Sequence, residues 1–368
     1  MGGWTLLLLL VAFLLTPTGC YLGRAGWEEA RILSRRQAID KLVRDPATDD
    51  STRARLQLVL DARTFAADSV RLRVGKSFTT YSKLERDTLV LVLSAAYRDR
   101  LQFHTWWFPI VGHVPYKGFF DFAAARRAAA EFEGRGFDVY LRPAAAFSTL
   151  GWLNDPLLST ALASDSLELA NTVVHELTHN TFFARNQVIF NESFANFVGA
   201  RGSAWFFRSR GASAAAEEAD ARWQDEKVLG AFWAGVYREL DSAFKAHPAS
   251  RAERLAVRDS IFTRARSVLV QDVGPRLRTI GPRALERVRL DNAALLARRI
   301  YRTDLDLFDA VYAHEGGNLP AAIDRIVALA RSNGAAPYEA LREWLGTRTV
   351  SPPPPPPISP TSPTSPAP

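Results

Sequence analysis

Residues 175–179 read His-Glu-Leu-Thr-His. On an α-helix, two imidazoles four residues apart project from one face, one turn from each other. From there both reach a single metal ion at about 2 Å. Glu176 is turned about 100° away from His175. It need not ligate, and it can sit beside the open coordination position, where a water would be and a carboxylate can act as base. A catalytic zinc keeps three protein ligands plus water. The segment Asn191-Glu192-Ser193-Phe194-Ala195 supplies the third. If the chain turns near Arg185–Asn186, two helices pack as a hairpin. His179 and Glu192 then each lie about two helical turns from the bend and can face one another. This assigns His175, His179 and Glu192 to Zn2+ and Glu176 to catalysis.

The elements around these residues support that placement. Leu167, Ala170, Val174 and Leu177 form an apolar stripe, and both histidines fall on the far side of it. Asp165 is positioned to cap the helix start, with Glu168 three residues on. On the second helix Asn196, Gly199 and Ser203 share the side of Glu192, and the small residues there allow close approach. Further back the pattern predicts helices over Trp27–Arg44, Thr52–Leu72 and Phe120–Glu133. Strands are expected at Thr88–Val92, Phe137–Leu141 and Phe147–Trp152, with Pro143 between the last two. From Leu167 onward only helices are expected. A small sheet followed by a helical bundle is an α+β fold.

Peptide chemistry at such a centre needs more than a metal and a base. A hydrogen-bond donor must meet the developing oxyanion. Tyr301 and Tyr312 are the candidates, and Tyr312 is taken as the catalytic partner. An edge strand beside the zinc helix would hold an extended substrate. Phe147–Trp152 fits, with Gly151 and Trp152 as substrate-binding residues, because Gly151 permits close backbone approach. A further acid near the motif could meet a positively charged substrate group. Asp155 and Glu168 are available, although Glu168 also suits helix capping. The aromatic stretch from Phe103 to Phe120 fits core packing, a cleft wall or a membrane-touching face. His104 and His113 have no fixed geometry for metal, and His247 and His314 fit surface or turn positions.

The bulk of the chain is ordinary for a globular protein, with 47% hydrophobic and 23% charged residues. Cys20 is the only cysteine. That excludes an internal disulfide and a cysteine-rich zinc site. The net charge is +7, but basic and acidic residues are interleaved along the presumptive helices, which argues against a nucleic-acid surface. Leu6–Leu15 is an apolar run too short to span a bilayer and suited to a signal-peptide core. Thr16-Pro17-Thr18-Gly19-Cys20 follows it, and small residues before a lone Cys match a lipoprotein signal with Cys20 as the lipidated residue. Residues 1–19 are thus read as a signal peptide, 20–348 as the folded domain and 349–368 as a disordered proline-rich tail.

His-Glu-Leu-Thr-His followed by Asn-Glu-Ser-Phe-Ala resembles the gluzincin metallopeptidases, whose third zinc ligand is a Glu on the next helix. The twelve residues between His179 and Glu192 are fewer than is usual there, and the direct hairpin accounts for the shorter gap. More closely, the chain is similar to a bacterial "putative aminopeptidase" family, largely of predicted lipoproteins. The resemblance runs from about Cys20-Tyr21 to about Leu345. It includes Pro115-Tyr116-Lys117-Gly118-Phe119-Phe120, Ser148-Thr149-Leu150-Gly151-Trp152, Asp155-Pro156-Leu157-Leu158-Ser159-Thr160 and Gly316-Gly317-Asn318-Leu319. It implies a zincin-like fold, Zn2+ on His175, His179 and Glu192, catalysis by Glu176, a peptide substrate and a lipid-anchored place in the cell envelope, facing the periplasm or exterior. A non-catalytic envelope lipoprotein using the same fold to bind partners is the competing expectation, and an intact Glu176 weighs against it.

Overall fold

The structure, a computed structural model, describes residues 17–85, 88–108, 112–144 and 156–346. The apolar Leu6–Leu15 run, the Phe147–Trp152 segment with Gly151 and Trp152, Asp155 and the proline-rich tail lie outside them. Chain order is α1 (Pro17–Ser34), β1 (Gln37–Ala38), α2 (Ile39–Arg44), α3 (Asp50–Asp68), β2 (Thr80–Ser82), β3 (Val90–Tyr97), β4 (Trp106–Phe108), β5 (Gly112–Val114), β6 (Lys117–Phe119), α4 (Phe122–Gly134), β7 (Phe137–Ala144) and β8 (Leu157–Leu158). Helices follow: α5 (Ser159–Leu162), α6 (Ser166–Thr181), α7 (Val188–Ser209), α8 (Ser213–Ala246), α9 (Arg251–Val268), α10 (Pro282–Glu286), α11 (Asn292–Arg299), α12 (Leu305–His314), α13 (Leu319–Ser332) and α14 (Pro337–Gly346). This is the expected α+β arrangement of small sheets on a helical body.

A continuous apolar run makes a strand that can be buried on both faces. Val90–Tyr97 is such a run and becomes the central strand of a three-stranded antiparallel sheet ordered β6-β3-β7. The strand expected to stop before Pro143 runs on through it, with Pro143 opposite Leu91. Among the described strands β7 pairs only with β3, and an edge strand tolerates the missing N–H. The helix expected over Trp27–Arg44 is also divided. It stops at Ser34, Gln37–Ala38 pairs antiparallel with Thr80–Tyr81, and α2 begins at Ile39. Part of the aromatic stretch supplies core, since the His104 and Trp106 rings lie 4.9 and 5.5 Å from that of Phe132, whereas Trp107 and Tyr116 are exposed.

The helical body closes around α6 and α7. Ala170, Val174 and Leu177 of the predicted stripe are fully buried, joined by Leu169 and Val173, and they pack on Phe194, Phe197 and Val198 of α7. A buried polar tie joins sheet to helices. Asp138 of β7 pairs with Arg258 of α9 and accepts from the Asn292 backbone N–H at 3.0 Å. A buried ion pair of this kind adds little net stability but penalises any other registration of the two halves. Among the described residues, no helix is long and apolar enough to cross a membrane.

Candidate metal centre

Helix α6 begins where Asp165 accepts a hydrogen bond from the Glu168 N–H at 2.8 Å, the capping geometry anticipated from the sequence. It ends at Thr181, and the chain reverses at Arg185–Asn186. Asn186 makes the reversal with φ of 61°, a left-handed conformation that asparagine tolerates. The bend is then locked by the residue before the expected ligand. The buried Asn191 side chain accepts from the Ala184 N–H and donates to the Ala184 C=O, both at 2.8 Å. The Asn of the Asn-Glu pair thus closes the hairpin that brings Glu192 back to the histidines.

Small residues let the two helices approach. A methyl on Gly199 would lie 2.3 Å from Asn171 Oδ1, 3.1 Å from the Asn171 carbonyl oxygen and 3.2 Å from His175 Cβ. One on Gly202 would meet Val174 Cγ1 at 2.8 Å. Across this contact His175 Nε2 lies 3.4 Å from Glu192 Oε2, and His179 Nε2 lies 3.7 Å from Glu192 Oε1. One donor atom from each of the three residues falls within 4.8 Å of the others. Two metal–ligand bonds of about 2.0 Å at a tetrahedral angle hold their donors about 3.3 Å apart. The donor set and its spacing therefore fit a zinc ion.

The side chains of His175, His179 and Glu192 are 16%, 20% and 21% exposed, shielded yet open to one approaching group. Their electrostatics favour a cation between them. Burial alone would raise Glu192, but hydrogen bonds to both imidazoles and their charges bring it down to about 2. Burial alone would lower His175, but the hydrogen bond to Glu192 and the charges of Glu176, Glu192 and Glu168 raise it. A metal would take the place of those protons. His179 Nδ1 is buried with no hydrogen-bond partner among the described residues.

The family model described as "Putative aminopeptidase" matches residues 20–341, which is most of the chain. The protein belongs to this family. Comparison with curated proteins and with solved structures returned no match.

In this family member His175 of the triad lines a cleft of about 560 Å³, together with Glu176, Glu168, Asn196 and Tyr301. The Glu176 carboxylate forms no ion pair among the described residues. Glu168 is not a capping side chain. Its backbone N–H serves the cap, while its carboxylate opens onto the cleft, where burial and nearby Asp165 raise its pKa. Tyr312 lies elsewhere. Its ring packs over Phe197 and beside the Arg201 guanidinium, on a separate cavity bounded by Gly316 and Gly317. Phe197 and Arg201 sit on the side of α7 away from Glu192, so α12 delivers Tyr312 to the wrong face.

Tyr301 is the phenol that faces the site. Its loop is held by α7: Ser193 donates to the Ile300 carbonyl at 3.2 Å and accepts from the Thr303 N–H at 3.1 Å, and Asn196 donates to the Tyr301 carbonyl at 3.2 Å. Burial first, and then the Glu192 charge, push the Tyr301 hydroxyl up to about 12. Two groups were not singled out from the sequence. Burial raises Tyr116, which also feels the charges of Glu192 and Arg142, and Arg142 at the end of β7 stands beside the Tyr301 hydroxyl. Polar residues at Ser193 and Asn196, on or next to the ligand's face of α7, were the available signal that a loop docks there.

Proposed function

We propose that the protein is a zinc-dependent aminopeptidase. His175, His179 and Glu192 would hold the ion, which when bound supplies Lewis acidity to a peptide carbonyl and acidifies water. Glu176 would take a proton from the attacking water and return it to the leaving amine. Tyr301, kept neutral by its raised pKa, would donate to the oxygen on which charge develops. Glu168 would meet the substrate's ammonium group at the cleft wall. The observation that carries this reading is the approach of three donor atoms to within 4.8 Å with Glu176, the next residue after His175, on the same cleft.

Metal analysis and a panel of aminoacyl and internally quenched peptides test it. Purified protein should hold one zinc per chain and release N-terminal residues. Glu176→Gln should keep the zinc and lose about 10²- to 10⁴-fold in rate, the range for removing a general base. Zinc-loaded wild type that cleaves nothing on the panel would end the proposal. We place the enzyme at the bacterial cell envelope, anchored through lipid on Cys20. Supporting this, the family match begins at Cys20, after the apolar run. A Cys20→Ser variant that stays in the membrane fraction would refute the anchor.

A further inference from the structure

The face of α6 that carries the histidines changes character along its length. Glu168 stands seven residues before His175, close to two turns and therefore on the same face, and it lines the cleft. His179 follows one turn after His175. Beyond it, past the end of the helix, comes Phe183, whose ring centroid lies 6.3 Å from that of the His179 imidazole. Phe183 is 46% exposed, although its neighbours Phe182 and Ala184 are both buried. The backbone at Phe182 is extended, with φ of −150° and ψ of 137°, and extended chain sends successive side chains to opposite sides. The Asn191 amide holds Ala184 by both of its backbone groups. The bend is thus fixed with an aromatic ring turned outward beside a metal ligand. Helix α7 adds to this surface. Val188 and Ile189 are 46% and 41% exposed. They precede Glu192 by four and three residues, the spacing that puts side chains on one helical face.

Apolar surface left in water forgoes burial free energy that is recovered only when something covers it. Here three such side chains gather around the His179 and Glu192 end of the triad, on the two helices that supply its donors. We propose that Phe183, Val188 and Ile189 form an apolar subsite that packs a peptide side chain next to the cleaved bond. Position names the occupant. A peptide residue spans about 3.5 Å, so when a carbonyl sits at the triad the residues on either side of its bond are the ones within reach of this shelf. The site then runs from an acid at the Glu168 end of α6 to an apolar surface at the bend. It favours peptides with an aromatic or branched aliphatic residue at the bond. This specificity rests on the peptidase reading above.

The zinc-loaded full chain would be assayed on two matched series of dipeptide amides. One varies the first residue through Gly, Ala, Leu and Phe with Ala second, and the other keeps Ala first and varies the second residue in the same way. Wild type should cleave the Leu and Phe members of one series about tenfold faster in kcat/KM than its Gly member, the scale of covering part of such a side chain. The series that responds shows which residue rests on the shelf. Phe183→Ala should bring the ratio toward one, and Phe183→Leu should retain most of it. Urea unfolding of Phe183→Ala separates lost selectivity from a lost fold, and an exposed ring predicts a wild-type midpoint. Wild-type ratios near one in both series would overturn the inference. So would a Phe183→Ala variant that keeps the wild-type ratio, and if that variant alone fails to pellet with phosphatidylglycerol vesicles the shelf is a membrane face. Binding supplies a readout free of turnover. Calorimetry on metal-free protein should show the Leu peptide of one series held about tenfold tighter than its Gly counterpart, with the difference lost in Phe183→Ala. If no peptide is cut but this difference persists, the peptidase reading fails and the apolar subsite stands. With neither cleavage nor that difference, both fail.

Discussion

Gly199→Ala tests whether close helix approach, and not the ligand residues alone, sets the metal geometry. The added methyl would stand 2.3 Å from Asn171 Oδ1, well inside the 3.0 Å that real Cβ atoms respect. The Asn171 amide can rotate away. The Asn171 carbonyl oxygen at 3.1 Å and His175 Cβ at 3.2 Å are parts of the helix itself, so α6 and α7 must separate by a few tenths of an ångström. The hairpin is pinned at Asn191, about 12 Å from Gly199 along α7, so the opening is greatest at His175 and least at Glu192. The His175–Glu192 separation of 3.4 Å grows accordingly. Metal sites tolerate about 0.2 Å. Overpacking a core contact costs about 1–3 kcal/mol, and zinc affinity should fall by about tenfold or more. Urea unfolding of metal-free protein reads the first effect, and competition against a fluorescent zinc chelator reads the second. Gly235→Ala in α8 is the control. Its methyl meets nothing within 4 Å, so alanine's helix preference should leave it neutral or about 0.5–1 kcal/mol more stable. Gly199→Ala protein with wild-type stability and wild-type zinc affinity would refute the reasoning.

Asn191→Ala leaves the buried Ala184 N–H without a partner, at about 1–3 kcal/mol, and leaves the Ala184 C=O with only the Gln187 N–H at 3.2 Å; Asn191→Asp restores only the acceptor, and an Asp variant as stable as wild type in urea unfolding would show that the amide clamp is misassigned. Tyr301 gives a pH signature. Its folded pKa, about 12, lies above its ordinary 10.0, so the stability it contributes is complete below pH 10 and is lost as pH rises through about 12. The difference in phenolate absorbance between wild type and Tyr301→Phe should therefore appear only above about pH 11, and a difference centred near pH 10 would contradict the buried placement.

What the sequence made legible follows from local rules. Four-residue spacing put His175 and His179 on one helical face, and a turn near Arg185–Asn186 was enough to return Glu192 to them. Small residues at Gly199 and Ser203 foretold close approach, and Gly202 adds a second point of contact. What stayed hidden depends on contacts between distant parts of the chain. Choosing between Tyr301 and Tyr312 required knowing that residues 300–303 dock on Ser193 and Asn196, more than a hundred positions earlier. Arg142 fell just past the strand expected over Phe137–Leu141, and only the pairing of β3 with β7 carries that strand on to Ala144. The division at Ser34 likewise reflects a long-range pairing, of Gln37–Ala38 with β2, which overrides a locally helical pattern.

These contacts concentrate on a single helix. Within α7, Asn191 closes the hairpin, Glu192 completes the donor set, Ser193 and Asn196 hold the tyrosine loop, and Gly199 and Gly202 admit α6. The opposite faces of the same turns, through Phe190, Phe194 and Phe197, lie in the main core and pack around Phe308 of α12, with ring centroids 5.6, 5.9 and 5.7 Å away. None of those core contacts uses a metal ligand. Burial of that size holds α7 without help from an ion, unlike small zinc modules whose fold is the binding energy of their metal. The triad is therefore preformed, and chelation should silence the site while leaving the helical core and its cooperative unfolding in place.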